Sequence, residues 1–278
     1  MMQRKKKEKI GKIITFICLT VISLLILTPF FWMISSSLKT DIEVFNIPFE
    51  WIPRQPQWRN YIDIWISIPL ATYLRNTTFL TIIVTILQLF TSSFAAYGFS
   101  KMRFKGRDSL FLLYIATIAV PWQAFMIPQF ILMRNLGLTN TLWALVLLQA
   151  FSAFGVFLMR QSYLSIPEEL SEAARIDGLS EYGIYFKIIL PLVKPALATL
   201  AILTMTFVWN DFMGPFIYLS SSELFTIQIG LRTFIGQFSA QYALIMTGSV
   251  LSVIPIATVF LFAQKYFIEG IASSGVKG

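Results

Sequence analysis

Six long stretches of this chain contain no charged residue, and their lengths constrain the fold more than any other feature. A helix needs about 20 mostly apolar residues to cross the roughly 30 Å hydrocarbon core of a membrane. The stretch that begins at Pro195 is short, but the apolar sequence FMGPFIYL continues it beyond Asp211. We therefore predict an all-α membrane protein with six transmembrane helices. The charge-free stretches are Ile13–Leu38, Asn76–Ser100, Ser109–Met133, Asn135–Met159, Pro195–Asn210 and Thr233–Gln264.

The overall composition agrees with a chain that spans the membrane several times. Of its 278 residues, 56% are hydrophobic and only 13% are charged, and its mean hydropathy is +0.70. About a quarter of the residues in a soluble domain are charged. The apolar residues are therefore too many for a buried core and are expected to face lipid.

The sequence offers very little catalytic chemistry. It contains no histidine, which removes Ser-His-Asp triads and most zinc sites, and its single cysteine, Cys18, allows no internal disulfide. The sequence also lacks the G-x-x-x-x-G-K-[ST] loop with which many proteins bind ATP. We expect no catalytic residue, no metal and no cofactor. An intramembrane enzyme would need clustered acid, base or metal-binding residues within the spans, and this chain has almost none.

The basic residues predict the orientation of the spans. If the N-terminus is cytoplasmic and the spans alternate, 16 of the 22 Lys and Arg residues fall on the cytoplasmic side. This asymmetry follows the positive-inside rule and places both termini in the cytoplasm. The net charge of +8 is thus explained by topology and gives no reason to expect a nucleic-acid partner.

This topology divides the chain into segments. A basic cytoplasmic N-terminus (1–12) precedes a transmembrane domain (13–264), and a cytoplasmic tail (265–278) follows it. Within the domain, the longest external loop covers 39–75 and the longest cytoplasmic loop covers 160–194. The external loop contains Trp51, Trp58 and Trp65, which favours a tryptophan belt at the membrane interface, although a docking surface for an external partner fits the same residues.

The cytoplasmic loop predicts two short helices joined by a glycine. Ser165 and Glu168 have the spacing of a capping box, with Pro167 in the first turn, so a helix can begin there and run to about Asp177. Gly178 suits the left-handed position just after a helix end. The first helix should present a shallow face formed by Leu170, Ala173, Ala174 and Asp177.

Ser180 can cap the second helix, which we expect to stop before Pro191. From these patterns alone, the helix pair could equally rest on the lipid headgroups as an amphipathic element.

Seven residues of this loop have the identities and the spacing of a family signature. The sequence resembles the EAA loop of ABC importer permeases: Glu172, Ala173, Ala174, Gly178, Ile188, Leu190 and Pro191. The resemblance implies that this loop is a coupling helix seated in a cleft of a cytoplasmic ATPase subunit, with Glu172, Arg175 and Asp177 making polar contacts at its rim. The loop would therefore serve energy coupling and not catalysis.

The rest of the chain resembles the maltose-type carbohydrate permeases. The likeness extends from the basic N-terminus to Gly278 and includes the sequence VWNDFMGPFIYL and the terminal GVKG. It implies a five-helix permease core with one additional N-terminal span, in the inner membrane of a bacterial cell. It also implies several partners: a second related permease in a heterodimer, two ATPase subunits, an extracytoplasmic solute-binding protein, and membrane lipid around the spans.

The implied function is ATP-driven import of a sugar or small oligosaccharide. Glycerol phosphate and other polar solutes remain alternatives, because importers of glycerol phosphate share this permease type. A self-sufficient secondary transporter would be expected to show ion sites at mid-membrane and internal repeats, and neither is apparent here. The alternative that the chain is a structural membrane adaptor is supported only by the cytoplasmic helix pair.

Three neighbouring residues are candidates for the translocation path: Trp209, Asn210 and Asp211. An acidic residue within a span is costly in lipid, so Asp211 either serves transport or pairs structurally near the interface. Asn210 could bond a hydroxylated solute or a neighbouring helix. An aromatic face suits the apolar side of a sugar ring, but for Trp209 packing against lipid or another helix is the more common role.

Overall fold

The computed structural model describes residues 2–48, 50–236 and 240–275, and the side chains of 9–265 within those ranges. Most of the described residues are helical, and their only β-pairing is an isolated bridge between Ile235 and Ala240. In chain order the α-helices are α1 (Met2–Ser37), α2 (Asn60–Ser67), α3 (Leu70–Lys101), α4 (Arg107–Ala116), α5 (Met126–Asn135), α6 (Leu142–Gln149), α7 (Ala153–Leu164), α8 (Glu168–Ile176), α9 (Glu181–Ile184), α10 (Leu190–Leu192), α11 (Lys194–Trp209), α12 (Met213–Tyr218), α13 (Ile227–Arg232) and α14 (Tyr242–Gly275).

Four described segments are long and apolar enough to cross a membrane. They are Lys9–Ser37, Leu70–Lys101, Leu142–Leu164 and Tyr242–Lys265. A fifth candidate is the pair Glu181–Leu192 and Lys194–Trp209, whose axes differ by 79°. All but one of the predicted spans therefore correspond to one of these four segments or to one arm of the bent pair, although Leu142–Leu164 is divided into α6 and α7.

The predicted span Ser109–Met133 is not one continuous helix. Helix α4 ends at Ala116, two 3-10 turns follow, and α5 begins at Met126. Pro121 explains the break, because a proline disfavours helical geometry in the residue before it, and Val120 is extended with φ −85° and ψ 115°.

The described residues within 1–68 and 231–253 form one compact unit. In it, the apolar side chains of α1 from Ile10 to Phe31 are exposed, as expected for a helix surrounded by lipid. The end of α1 is fixed by polar contacts. The Ser37 carbonyl accepts from Asn60 Nδ2 at 2.9 Å and from Thr247 Oγ1 at 3.1 Å, and the Ala243 N–H donates to Asp41 at 2.8 Å.

The predicted external loop carries local structure of its own. Glu43–Phe45 form a 3-10 turn, α2 follows, and α3 begins at Leu70, ahead of the charge-free stretch. The side chains of Trp51, Trp58 and Trp65 are exposed, which suits either role proposed for them.

The described residues within 69–230 and 254–278 form the second unit, and α3 is at its centre. Helix α3 packs along both α7 and α11. Gly155 allows the close approach of α7, because a Cβ at this position would overlap the side chain of Ser92 on α3. Small residues at such crossings are typical of membrane helices, which gain stability from close packing.

Replacement of Gly155 by valine should force α7 away from α3. We expect the free energy of unfolding to fall by about 1–3 kcal/mol, the usual cost of overpacking. Thermal unfolding of the purified protein in detergent measures the effect. Gly98→Val is the matched control, since Gly98 lies on α3 and a Cβ added there would meet no atom within 4 Å. Equal melting temperatures for the two variants would contradict the close contact.

Candidate functional site

Helix α8 ends in a left-handed glycine, as predicted. Gly178 has φ +82°, and its N–H bonds the Arg175 carbonyl at 3.0 Å. The Leu179 N–H bonds the Ala174 carbonyl at 3.0 Å. These two bonds form a Schellman motif, which satisfies the last carbonyls of the helix and fixes the direction of the chain beyond it.

The predicted capping box at the start of α8 is wrong. Ser165 Oγ donates to the Ser162 carbonyl at 2.8 Å, and the N-cap position is taken by Pro167, whose side chain forms no capping bond. Glu168 instead faces two cations, Lys101 at 3.4 Å and Arg175 at 3.5 Å. Hydrogen bonds from charged donors stabilise a carboxylate more than a hydrogen bond from a backbone N–H does, which explains why the capping box does not form.

The predicted shallow face of α8 is also wrong in part, because its four residues do not share one environment. Ala174 is buried together with Ser171, whereas Leu170, Ala173 and Asp177 are exposed. The two small residues lie one turn apart and form the inner side of the helix. The outer side contains Glu172, Ala173, Ile176 and Asp177, and the Ile176 side chain is 87% exposed.

The second helical segment begins as predicted but continues further. Ser180 Oγ accepts from the Gly183 N–H at 3.3 Å and caps α9. The helix does not stop before Pro191. It widens into a π-helical turn at Tyr185–Ile189 and continues through α10, which includes Pro191. A proline is tolerated in the first turn of a helix because its missing N–H would have no partner there.

The helix breaks two residues after Pro191. At Val193 the backbone leaves helical geometry, with φ −104° and ψ 18°, and α11 starts at Lys194 with Pro195 in its first turn. The ring of Pro195 would clash with the Pro191 carbonyl in an unbroken helix, which explains the 79° bend. Of the other motif residues on this segment, Ile188 and Leu190 pack against the buried core, while Pro191 is exposed.

A chain of charged and hydroxyl groups fixes α8 to the end of α3, and we call it the α8 anchor. It consists of Tyr97, Lys101, Glu168, Arg175 and Glu181. Tyr97 OH donates to Glu181 Oε2 at 2.6 Å, and Arg175 Nε donates to Glu181 Oε1 at 2.8 Å. Lys101 Nζ donates to the Ile166 carbonyl at 2.7 Å and pairs with Glu168 at 3.4 Å.

Arg175, predicted to make a polar contact at the rim of an ATPase cleft, is part of this anchor. Its side chain is bound within this chain, and the hydrogen bond to Glu181 raises the pKa of the guanidinium above its ordinary value. Sequence reasoning missed Tyr97, Lys101, Glu168 and Glu181 as members of one group. A partial signal was available, because Glu168 and Arg175 are seven residues apart and therefore lie two turns apart on one face of a helix.

A buried hydroxyl cluster lies beside the anchor. Ser93 on α3 bonds Tyr163 on α7 at 3.0 Å and also forms a short bond with Tyr185 in the π-helical turn. Tyr163 and Tyr185 are nearly inaccessible to solvent. The π-helical turn is therefore held against α3 by hydrogen bonds as well as by apolar packing.

The candidate path residues lie at the other end of α11, next to a second polar chain. Asp211 accepts from Gln149 Nε2 at 2.8 Å and from the Gly214 N–H at 3.1 Å, so it caps α12 and pairs with α6. Gln88 on α3 extends the chain, because its Nε2 donates to the Gln149 carbonyl at 2.7 Å and its Oε1 accepts from Thr204 at 2.9 Å. We call these groups the polar layer.

The three path candidates differ in their surroundings. Trp209 is buried, at 5% exposure. Asn210 is exposed, and its Nδ2 donates to the Thr206 carbonyl one turn back at 2.8 Å. Asp211 is half-buried within the polar layer. Of the three, Asn210 is the exposed residue, and its amide bonds a carbonyl of its own helix.

Comparisons with known proteins agree with one another. Residues 88–273 match the family described as binding-protein-dependent transport system inner membrane component. The chain is 36% identical over 280 residues to the arabinooligosaccharides transport system permease protein AraQ of Halalkalibacterium halodurans, with 100% of both chains covered. It is 29% identical to the lactose transport system permease protein LacG of Rhizobium radiobacter, with 96% of this chain and 97% of that protein covered.

A solved structure is also similar. It is a crystal structure of a bacterial ABC transporter involved in the import of the acidic polysaccharide alginate. One of its chains superposes with a TM-score of 0.80 and 28% identity, over 94% of this chain and 98% of that chain.

Removal of the Asp211 carboxylate should destabilise the polar layer. Asp211→Ala deletes the cap of α12 and leaves Gln149 without its acceptor, so we expect a loss of about 1–3 kcal/mol in the free energy of unfolding. Asp211→Asn keeps an oxygen that can accept from the Gly214 N–H, so its free energy of unfolding should fall by less. Thermal unfolding in detergent ranks the variants, with Asn210→Ala as the control. A melting temperature for Asp211→Ala equal to that of the control would contradict the structural role.

Proposed function

The chain belongs to the family of binding-protein-dependent transport system inner membrane components, and we propose that it forms the translocation pathway of an ATP-driven importer for a sugar or small oligosaccharide. Permease subunits of this family are membrane proteins and are not themselves enzymes. The observation that carries the proposal is the full-length similarity to permeases named for arabino-oligosaccharide and lactose transport. The alginate transporter adds a third carbohydrate importer with the same fold.

ATP hydrolysis in this proposal belongs to a partner. The outer side of α8 is the surface that meets the ATPase cleft, and its exposed Glu172, Ala173, Ile176 and Asp177 supply both polar and apolar contacts. The Schellman motif at Gly178 and the α8 anchor hold the helix at a fixed angle, which a coupling element needs in order to transmit movement. Ile188 and Leu190 pack against the buried core that also includes Ala174 of α8, and Pro191 lies two residues before the bend at Val193.

The complete importer would contain this chain, a second related permease, two ATPase subunits and an extracytoplasmic binding protein. The family description, binding-protein-dependent transport system, supports the last of these. A structure of an alginate ABC transporter in complex with an alginate pentasaccharide-bound periplasmic protein shares the fold of this chain. Its TM-score is 0.61 at 14% identity, so it bears on the fold alone.

We further propose six membrane crossings with both termini in the cytoplasm. The four long apolar segments and α11 account for five crossings, and α4 and α5 together would make the remaining one as a broken span. The excess of basic residues in the predicted cytoplasmic segments supports this arrangement. It places α8 in the cytoplasm, where an ATPase can reach it.

For the translocation path, we propose that Asn210 contacts the solute while Asp211 and Trp209 hold the end of α11 in place. The exposed amide of Asn210 can exchange its bond to Thr206 for a sugar hydroxyl. Loss of a single neutral hydrogen bond of this kind costs about 0.5–1.5 kcal/mol, so Asn210→Ala should raise the KM for transport by roughly two- to tenfold.

The function is tested by purification and reconstitution. The tagged full-length chain should copurify with a second permease and an ATPase from its native membrane. In proteoliposomes with the cognate binding protein, the complex should take up arabino-oligosaccharides, lactose or a related sugar only when ATP is supplied on the ATPase side of the membrane. Uptake without ATP, or uptake driven by a proton gradient, would contradict an ABC importer and support a secondary transporter.

Gly178→Val should uncouple ATP hydrolysis from transport. The left-handed geometry at φ +82° is strained for a β-branched residue by roughly 1–2 kcal/mol, so the Schellman motif should open and α8 should lose its fixed angle. We expect normal membrane insertion with a large loss of uptake per ATP. Gly178→Asn is the control, because asparagine tolerates this geometry. Wild-type uptake by the valine variant would refute the coupling role of α8.

Reporter fusions test the proposed topology. A reporter joined after Arg54 should be extracytoplasmic, and one joined after Arg175 should be cytoplasmic, because the basic segments retain their side of the membrane. Alkaline phosphatase and green fluorescent protein fusions give opposite signals at the two positions. The reverse pattern would invert the orientation and remove α8 from the reach of a cytoplasmic ATPase.

A further inference from the structure

We propose that Tyr97 and Lys101 are positioning residues that transmit the movement of α8 to α3, so that α3 follows the ATPase more closely than α11 does. The inference rests on the proposed function, because it assigns a route for energy coupling. It concerns residues outside the signature loop. The loop leads directly into α11, so a simple view of the chain would make α11 the first helix to move.

The covalent connection from the loop to α11 is poorly suited to transmit force. The axes on either side of Val193 differ by 79°. Pro191 and Pro195 flank the bend, and neither residue has an N–H to contribute to the backbone hydrogen bonds that stiffen a helix. A push on α8 can therefore be absorbed by rotation at Val193 before it reaches α11.

The non-covalent connection to α3 is more rigid. Lys101 Nζ contacts the start of α8 through the Ile166 carbonyl at 2.7 Å and Glu168 at 3.4 Å. The Lys101 side chain is only 4% exposed, so water screens the cation weakly, while the Glu168 side chain is 35% exposed. Breaking such a pair leaves a charge buried without compensation, which makes separation of the two helices unfavourable.

Tyr97 provides the second connection, at the other end of α8. Its hydroxyl donates to Glu181 at 2.6 Å, and the same carboxylate accepts from Arg175 in the last turn of α8 at 2.8 Å. The first and last turns of α8 are thus both joined to α3. Helix α8 cannot tilt without stretching at least one of these connections.

The contacts follow one face of α3. Ser93, Tyr97 and Lys101 are four residues apart, and Ser93 bonds Tyr185 in the π-helical turn. At 1.5 Å per residue they cover about 12 Å of the helix. Contacts spread over this length resist rotation of the loop against α3 as well as translation. The loop and this end of α3 should therefore move as one body, with the hinge at Val193.

The first test measures coupling in the reconstituted complex with its partners. Tyr97→Phe removes one hydroxyl, and Lys101→Met removes the buried charge while keeping a long side chain. We expect both variants to assemble and to hydrolyse ATP in response to the loaded binding protein, with solute moved per ATP reduced by about two- to thirtyfold. Tyr182→Phe and Lys105→Met are matched controls, because both residues are exposed and lie outside the α8 anchor.

A double variant separates transmission from general damage. Tyr97→Phe and Glu181→Gln act on the same hydrogen bond, so the pair should lower the transport-to-ATP ratio no further than the more severe single variant does. Additive losses would show that the two residues act independently and would overturn the proposal. A wild-type ratio in Tyr97→Phe would also overturn it, and this variant is mild enough to remain folded if Lys101→Met does not.

The second test measures movement directly. Spin labels are attached to pairs of cysteines in a Cys18→Ser background. The pair Tyr182→Cys and Phe90→Cys gives a first distance, between the loop and α3. The pair Tyr182→Cys and Phe207→Cys gives a second distance, between the loop and α11. On trapping the ATPase with ATP and vanadate, the first distance should stay constant and the second should change. A constant second distance, or a changed first one, would overturn the proposal.

The two tests distinguish a failure of the proposed function from a failure of this inference. A wild-type complex that moves no solute would refute the proposed function. The spin-label distances would still decide the inference, because they require only that an ATPase binds and closes.

Discussion

Helix α3 carries most of the polar contacts that hold the second unit together, and the other helices of that unit are arranged around them. Polar groups inside a membrane need partners within the protein, because lipid offers none. Asn76 bonds the segment before α13 and Thr77 bonds the first residue of α13, Gln88 bonds α6 and α11, and Ser93 bonds α7 and the π-helical turn. Lys101 then bonds the start of α8. Each layer along α3 thus fixes a different neighbour.

These layers have different consequences for function. The polar layer near Asp211 joins helices within the transmembrane region, and it uses neutral amides and one carboxylate. The α8 anchor uses charges on both partners, at the end of the span where water is close. Neutral hydrogen bonds inside the membrane contribute about 1 kcal/mol each, whereas separation of buried charges costs more. The end of α3 nearest α8 is therefore held more firmly to the loop than its middle is to the other spans.

Much of this architecture could be predicted from the sequence, and the failures share a physical cause. Charge-free stretches located the long helices, and Gly178 and Ser180 predicted the turn and the second cap because their conformations depend on local chemistry. The capping box failed because Lys101, 67 residues away, competes for Glu168. Pro191 was accommodated because it lies in the first turn of α10, which follows a π-helical turn. Tyr97 lay within an apolar stretch, where nothing local distinguishes it from a residue that faces lipid.

The exposed surface of α1 has a consequence for the evolution of this chain. From Ile10 to Phe31 its apolar side chains are exposed, so substitutions among leucine, isoleucine, valine and phenylalanine change neither packing nor hydrogen bonding. At Ser35, Ser36 and Ser37 the same helix becomes buried, and there a larger side chain would have no room. Relatives should therefore drift freely in the first part of this helix while keeping its hydrophobicity, and should retain small residues where it ends.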